Sequence, residues 1–269
     1  MDPIKIVIIV LTLLIGLCVG SFLNVVIYRL PNEMSLAYPA SHCPKCEHEL
    51  KWYDNIPLFS YIFLRGKCRY CKCKISFRYP LVEFTNMALW FGCLVLFTDC
   101  VISTNSMYWV RFIASCIACS ALLCVFFTDL DHMEIPDELQ VVLLMCGLAM
   151  LVENNPNTDI LIKVIGFFAC GALFYIVNFV FKLIKKRDGI GFGDVKLVAV
   201  TGLILGAYNM IVALTLSCVV GGIALLIVSL IQKERGREYP FAILLVPGIL
   251  VALFFGDFIV KWYMGLMGL

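Results

Sequence analysis

Eight stretches of this chain are almost wholly apolar: 4–26, 81–97, 107–128, 139–152, 160–182, 195–207, 209–231 and 241–262. A helix needs about 20 mostly apolar residues to cross a hydrocarbon core of about 30 Å. Inside that core only helices and closed barrels satisfy their own backbone groups. The runs therefore predict an all-α polytopic membrane protein with about eight transmembrane helices, in contact with the lipid bilayer along most of its length. Composition agrees, with 62% hydrophobic and 15% charged residues against about 45–50% and about 25% in soluble domains. The fourth and sixth runs are short for a span, and barely a turn separates the sixth from the seventh. The first run lacks a basic start and exceeds the roughly 7–15 apolar residues of a signal core, so it is expected to persist as a helix.

Charge fixes the expected orientation. With eight spans and both termini outside, the regions 29–80, 129–138, 182–194 and 232–240 face one side, and they hold 16 of the 21 Lys and Arg. The opposite loops, 98–106 and 153–159, hold none. The positive-inside rule then puts the four basic regions in the cytoplasm. Two parts are expected. Residues 1–90 carry one helix, a large polar cytoplasmic loop (29–80) and the start of the next helix. Residues 107–262 carry six helices with tight connections.

The loop has the composition of a soluble domain, and at about 50 residues it needs a staple to fold. Cys43-Pro44-Lys45-Cys46 and Cys68-Arg69-Tyr70-Cys71 supply one. Two CxxC hairpins at this separation carry the spacing of a tetrahedral zinc site. Neighbouring Lys45, Lys67, Arg69 and Lys72 favour thiolate. The expected metal ligands are Cys43, Cys46, Cys68 and Cys71 in a small zinc-ribbon-like domain. Cys73 is an alternative to Cys71, and His42 and His48 flank the first knuckle. Four thiolates leave no open position, so the zinc would be structural. Disulfides are not expected on the reducing side of the membrane. The other nine cysteines, among them the Cys116-Cys119 pair, lie in or beside apolar runs and read as small hydrophobes.

Two acids stand where hydrocarbon should exclude them. Asp129 follows the apolar run 112–128, and Asp194 closes Gly189-Ile190-Gly191-Phe192-Gly193-Asp194. Such a placement costs roughly 2.5–3.5 kcal/mol on insertion scales and marks a functional residue. Paired carboxylates cannot both ionise easily, so one holds a proton while the other takes one from water. That division suits an aspartic protease. Asp131 and Glu134 can face water, and Asp137 after Pro136 suits the start of a helix. The glycines are expected to turn the chain sharply, with φ values other residues avoid. No strand precedes the glycine run and no Walker lysine follows, so it is not a nucleotide loop. No GxSxG nucleophile motif competes.

In order along the chain, these features resemble type IV prepilin peptidase, the leader peptidase/N-methyltransferase family of GxGD aspartic peptidases. The resemblance rests on Asp129 with Pro136-Asp137, the GxGD at 191–194 and the paired CxxC loop. Gly20-Ser21-Phe22-Leu23-Asn24-Val25, Tyr28-Arg29-Leu30-Pro31, Asn55-Ile56-Pro57, residues 65–69 and residues 78–83 also match. It covers roughly residues 16–215. It implies cleavage of the basic leader from type IV pilin or type II secretion pseudopilin precursors on the cytoplasmic face of the inner membrane. It also implies N-methylation of the new terminus from S-adenosylmethionine. Carried over by motif, the catalytic dyad is Asp129 and Asp194, and the methyl-donor residues are among Gly66, Lys67, Arg78 and Glu83. No nucleic-acid partner is expected. The rivals are a GxGD membrane protease without methyltransferase activity, a proton-coupled transporter, and an inert zinc-ribbon anchor. The paired CxxC loop disfavours the first. The placement of both acids at cytoplasmic helix ends, away from the midplane, disfavours the second. The third leaves the acids unexplained. Asp131, Glu134, Asp137 and Glu138 are the expected contacts for a basic leader.

Overall fold

The computed structural model describes residues 3–97, 106–151, 160–186, 189–232 and 240–268. Cys100, the loop 153–159 and most of 98–106 and 232–240, on which the orientation draws, lie outside the described residues. The described residues are helical, without strands. They form two compact units, Met1–Thr104 and Asn105–Leu269.

In the first unit, α1 (Pro3–Arg29) packs along α3 (Arg78–Leu96), and the loop between them carries a 3₁₀ turn (Trp52–Asn55) and the short α2 (Phe59–Phe63). Small residues spaced four apart let the two long helices touch. A Cβ on Gly20 would stand 2.7 Å from the Glu83 Cα, and one on Gly16 would stand 3.2 Å from the Met87 Cα. Lipid gives helices no hydrophobic reason to associate, so such close backbone packing and interhelical hydrogen bonds must supply it. Asn86, fully buried, donates to the Gly16 carbonyl at 2.7 Å, and Asn24 donates to the Tyr79 carbonyl at 3.2 Å. Gly20→Ala is expected to destabilise this pair by about 1–3 kcal/mol, the usual cost of overpacking. A thermal-unfolding midpoint equal to that of the parent chain would contradict it.

In the second unit, α4 (Ser106–His132) is the most buried of the long helices, whereas α6 (Ile160–Lys185) presents its flanks outward. α5 (Asp137–Ala149), α7 (Phe192–Gln232) and α8 (Ala242–Met267) complete the unit. Acids in the first turn of α5, Asp137 and Glu138, suit its dipole. α6 and α7 meet through glycines, since a Cβ on Gly166 would lie 2.5 Å from the Gly202 carbonyl oxygen.

Among the described residues six helical segments are long and apolar enough to cross a membrane, one of them, Phe192–Ala224, running across a break at Gly206, and the chain is a multi-pass membrane protein. All eight expected runs are helical, and one of them differs in length. The run 139–152 is realised as a 13-residue helix, Asp137–Ala149, about 20 Å long and short of the hydrocarbon core. The runs 195–207 and 209–231 are two helices, as expected, and α7 is divided between them at Gly206. There φ is 78° and ψ 168°, a conformation open in practice to glycine alone.

Candidate active site and metal centre

The candidate metal centre lies in the first unit. Its two knuckles fold alike. Cys43 N–H donates to the His48 carbonyl at 3.0 Å, and Cys68 N–H donates to the Cys73 carbonyl at 2.8 Å. Glu47 and Lys72 N–H close matching turns onto the Cys43 and Cys68 carbonyls, and both residues have positive φ, 53° and 59°. A β-bridge shuts each knuckle, His42 to Glu49 and Lys67 to Lys74. In this repeat Cys73 holds the place of His48, and Cys71 the place of Cys46. The sulfurs of Cys43, Cys46, Cys68 and Cys71 lie within 4.8 Å of one another.

The spacing fits zinc. A tetrahedral ion with Zn–S bonds of about 2.3 Å sets its sulfurs about 3.8 Å apart, and Cys43 and Cys71 Sγ are 3.9 Å apart. The electrostatics fit as well. Burial resists ionisation of Cys43, but the N–H groups of Lys45 and Cys46 and the thiols of Cys46 and Cys73 draw it down to about 6. The His48 N–H works to lower Cys46, yet burial and the surrounding sulfurs push it up to about 11. Four thiolates so close repel one another until a cation joins them. Cys73 Sγ also approaches Cys43, at 3.7 Å. Arg69, inside the second knuckle, bonds the buried Asp54 at 2.7 Å and stacks over Tyr53, fastening the knuckle to the 3₁₀ turn.

The four residues tied by resemblance to the methyl donor border α2. Gly66, at φ 66°, accepts no side chain, because a Cβ would meet the Tyr61 hydroxyl at 2.9 Å. Lys67 N–H donates to the Leu64 carbonyl at 3.1 Å. Arg78 follows Phe77, whose ring meets Tyr61 edge-on. Glu83 is buried and accepts the Leu58 N–H at 2.7 Å.

The acid site lies in the second unit. Asp129, near the end of α4, and Asp194, in the first turn of α7, are 4% and 9% exposed and line one cavity of about 360 Å³. Glu134, Asp137 and Ile135, from the connection into α5 and its first residue, line it too. Several groups that sequence reasoning missed surround the two carboxylates and fix the elements that carry them. Phe241, before α8, has no side chain able to cap it, and Asp129 Oδ2 accepts the Ile243 N–H at 3.2 Å in its place. Gln140 of α5 donates to the Gly193 carbonyl at 3.0 Å, and Lys196 pairs with Asp137 at 2.7 Å. Asn178 of α6 accepts both Gly189 and Ile190 N–H at 3.0 Å and latches the glycine turn. One oxygen of Asp194, Oδ1, is buried without a hydrogen-bond partner among the described residues. The glycines serve differently than expected. Gly191 and Gly193 do not have positive φ. They leave room instead, since a Cβ on Gly191 would crowd Asp194 Oδ2 at 3.1 Å and one on Gly193 would crowd Ile135 Cβ at 3.3 Å.

Both units find relatives in the same proteins. Residues 14–97 match the bacterial peptidase A24 N-terminal domain, and residues 116–227 match the type IV leader peptidase family. A protein of Aeromonas salmonicida strain A449, named prepilin leader peptidase/N-methyltransferase, is 33% identical over 282 residues, covering 94% of this chain and 93% of its own length. This chain belongs to the type IV leader peptidase family. Proteins of the same name from Burkholderia pseudomallei strain 1026b and Pseudomonas aeruginosa are 34% and 33% identical. They cover 91% and 96% of this chain, and 84% and 93% of their own lengths. No solved structure matches the chain.

Proposed function

We propose that this chain removes the basic leader from type IV prepilins or type II secretion pseudopilins at the cytoplasmic face of the inner membrane, then N-methylates the new terminus. The observation that carries the reading is the pair of buried acids, Asp129 and Asp194, on one cavity in a chain of this family.

The two acids divide the work unequally. Asp129, held by the free N–H at the start of α8, is the ionised partner, since a helix N-terminus stabilises negative charge. Asp194, whose buried Oδ1 meets no donor among the described residues, carries the proton, since a buried carboxylate oxygen without a donor is costly. Asp129 takes a proton from water as the water oxygen bonds to the scissile carbonyl carbon. The Asp194 hydroxyl donates to the carbonyl oxygen. The tetrahedral adduct then collapses, the carbon–nitrogen bond breaks, and a proton passes to the departing amine. The products are a carboxyl-ended leader and a free amino terminus.

Cys43, Cys46, Cys68 and Cys71 would hold a zinc ion that braces the cytoplasmic loop and takes no part in bond making. S-adenosylmethionine would supply the methyl group. Gly66, Lys67, Arg78 and Glu83 are the residues proposed to bind it, because glycine-permitted room, two cations and a buried carboxyl border one segment there.

Reconstituted chain incubated with a prepilin and methyl-labelled S-adenosylmethionine should yield a shortened product carrying one labelled methyl. Shortening without label would leave the peptidase alone, and neither would defeat the proposal. Glu134 and Asp137, on the cavity wall, are the proposed contacts for the leader's cations, together with Asp131 and Glu138. Replacing all four with Lys should raise KM for a lysine-rich leader at least about tenfold, as lost charge pairs of about 0.5 kcal/mol each accumulate. An unchanged KM would remove them from leader recognition.

A further inference from the structure

Glu83 sits where a carboxyl is costly, and its partner explains the placement. α3 has 19 residues, about 28 Å of helix, so it barely spans the hydrocarbon and its start at Arg78 marks the boundary. Glu83 lies five residues further in, about 7.5 Å below that start. Its carboxylate accepts the Leu58 N–H at 2.7 Å. Leu58 has φ 58° and ψ −49°, irregular backbone for a residue with a Cβ. Irregular backbone at membrane depth persists only where protein satisfies it, and Glu83 does so here. Three residues on, the Tyr61 ring meets Phe77, the residue just before α3. Residues 58–61 thus lie beside the first turns of α3, between Phe77 and Glu83.

The side chains of this short segment match that depth. Phe63 is 81% exposed and Ile62 68%, and Phe59 and Phe77 are also exposed. Soluble surfaces rarely expose so much clustered apolar side chain, and such a patch marks a protein or membrane contact. Exposed Lys51, Arg65 and Lys67 flank the segment on both sides along the chain, as basic residues do beside anionic headgroups.

We infer that residues 56–64 form a re-entrant anchor, pinned to α3 by Glu83, whose Phe59, Ile62 and Phe63 insert into the cytoplasmic leaflet of an anionic bilayer. The anchor ties the cysteine loop to the membrane surface. On the function proposed above, it would hold Gly66 and Lys67 at headgroup level, where the freed terminus of a pilin's apolar helix emerges. The insertion itself does not depend on that function.

The test uses the full chain in vesicles of phosphatidylcholine and phosphatidylglycerol, with Phe63→Trp, Ile62→Trp and, as a water-exposed reference, Lys45→Trp. Emission of the added Trp is taken after subtracting the parent chain, which has four Trp. Spin-labelled lipid should quench the Trp at 62 and 63 severalfold more than it quenches the one at 45, and acrylamide should do the reverse. In a Phe63→Trp chain that also carries Glu83→Ala, acrylamide quenching should rise. Equal acrylamide quenching at 63 and 45 would overturn the anchor. Protection of 63 from both quenchers would also overturn it, because protein and not lipid would then cover the segment. Neither readout requires catalysis, so a chain inactive on prepilin still tests the anchor.

Discussion

Asp129→Asn and Asp194→Asn are each expected to lower leader cleavage by about 10³-fold or more, within the range that acid–base groups contribute. Asn keeps the volume and one hydrogen-bonding oxygen but can neither accept nor deliver the travelling proton. The two variants should differ in what survives. The amide of Asp129→Asn still offers an oxygen to the Ile243 N–H, so α8 should keep its start. Asp194→Asn places an amide where an oxygen without a donor among the described residues now lies, so its fold should be retained as well. Methylation of an already shortened pilin is therefore expected to persist in both. Single-turnover cleavage of a purified prepilin, followed by mass of the product, measures the effect. Parent-like cleavage in either variant would refute the dyad. The assigned division of the proton predicts a further difference. A protonated-carboxyl stretch in the infrared spectrum should vanish with Asp194→Asn and remain with Asp129→Asn, and the opposite pattern would exchange the roles.

Cys43→Ser or Cys68→Ser is expected to reduce bound zinc from about one ion per chain to almost none, because structural zinc contributes about 10–16 kcal/mol to small thiolate sites. Both sulfurs are buried in the cluster. The loop around them has little apolar core of its own, and without metal it should become protease-sensitive between 40 and 75. Methyl transfer should be lost with it, given that its proposed residues border α2 and the second knuckle. Cys73→Ser should keep the metal, because Cys73 occupies the His48 position of the folding repeat. Full zinc content in Cys68→Ser, or its loss in Cys73→Ser, would reassign the ligands.

Sequence alone was enough for the elements whose cause is local. Apolar run length placed the helices to within a few residues, and the CxxC spacing brought four sulfurs together because each knuckle is a short turn that closes on itself. Asp129 and Asp194 were legible because a carboxyl beside hydrocarbon has no ordinary excuse. Only the tertiary structure could decide what surrounds them. Ile243 meets Asp129 across 114 positions of chain, Gln140 meets Gly193 across 53, and Asn178 and Glu83 each hold backbone groups of segments distant in sequence. Periodicity records which side of a helix is apolar, not which helix end or loop arrives there. For the same reason Gly191 and Gly193 could be read as bending residues, when they leave space beside Asp194 and Ile135. Local chemistry is written in neighbouring letters, whereas room and hydrogen-bond partners exist only once distant backbones have packed.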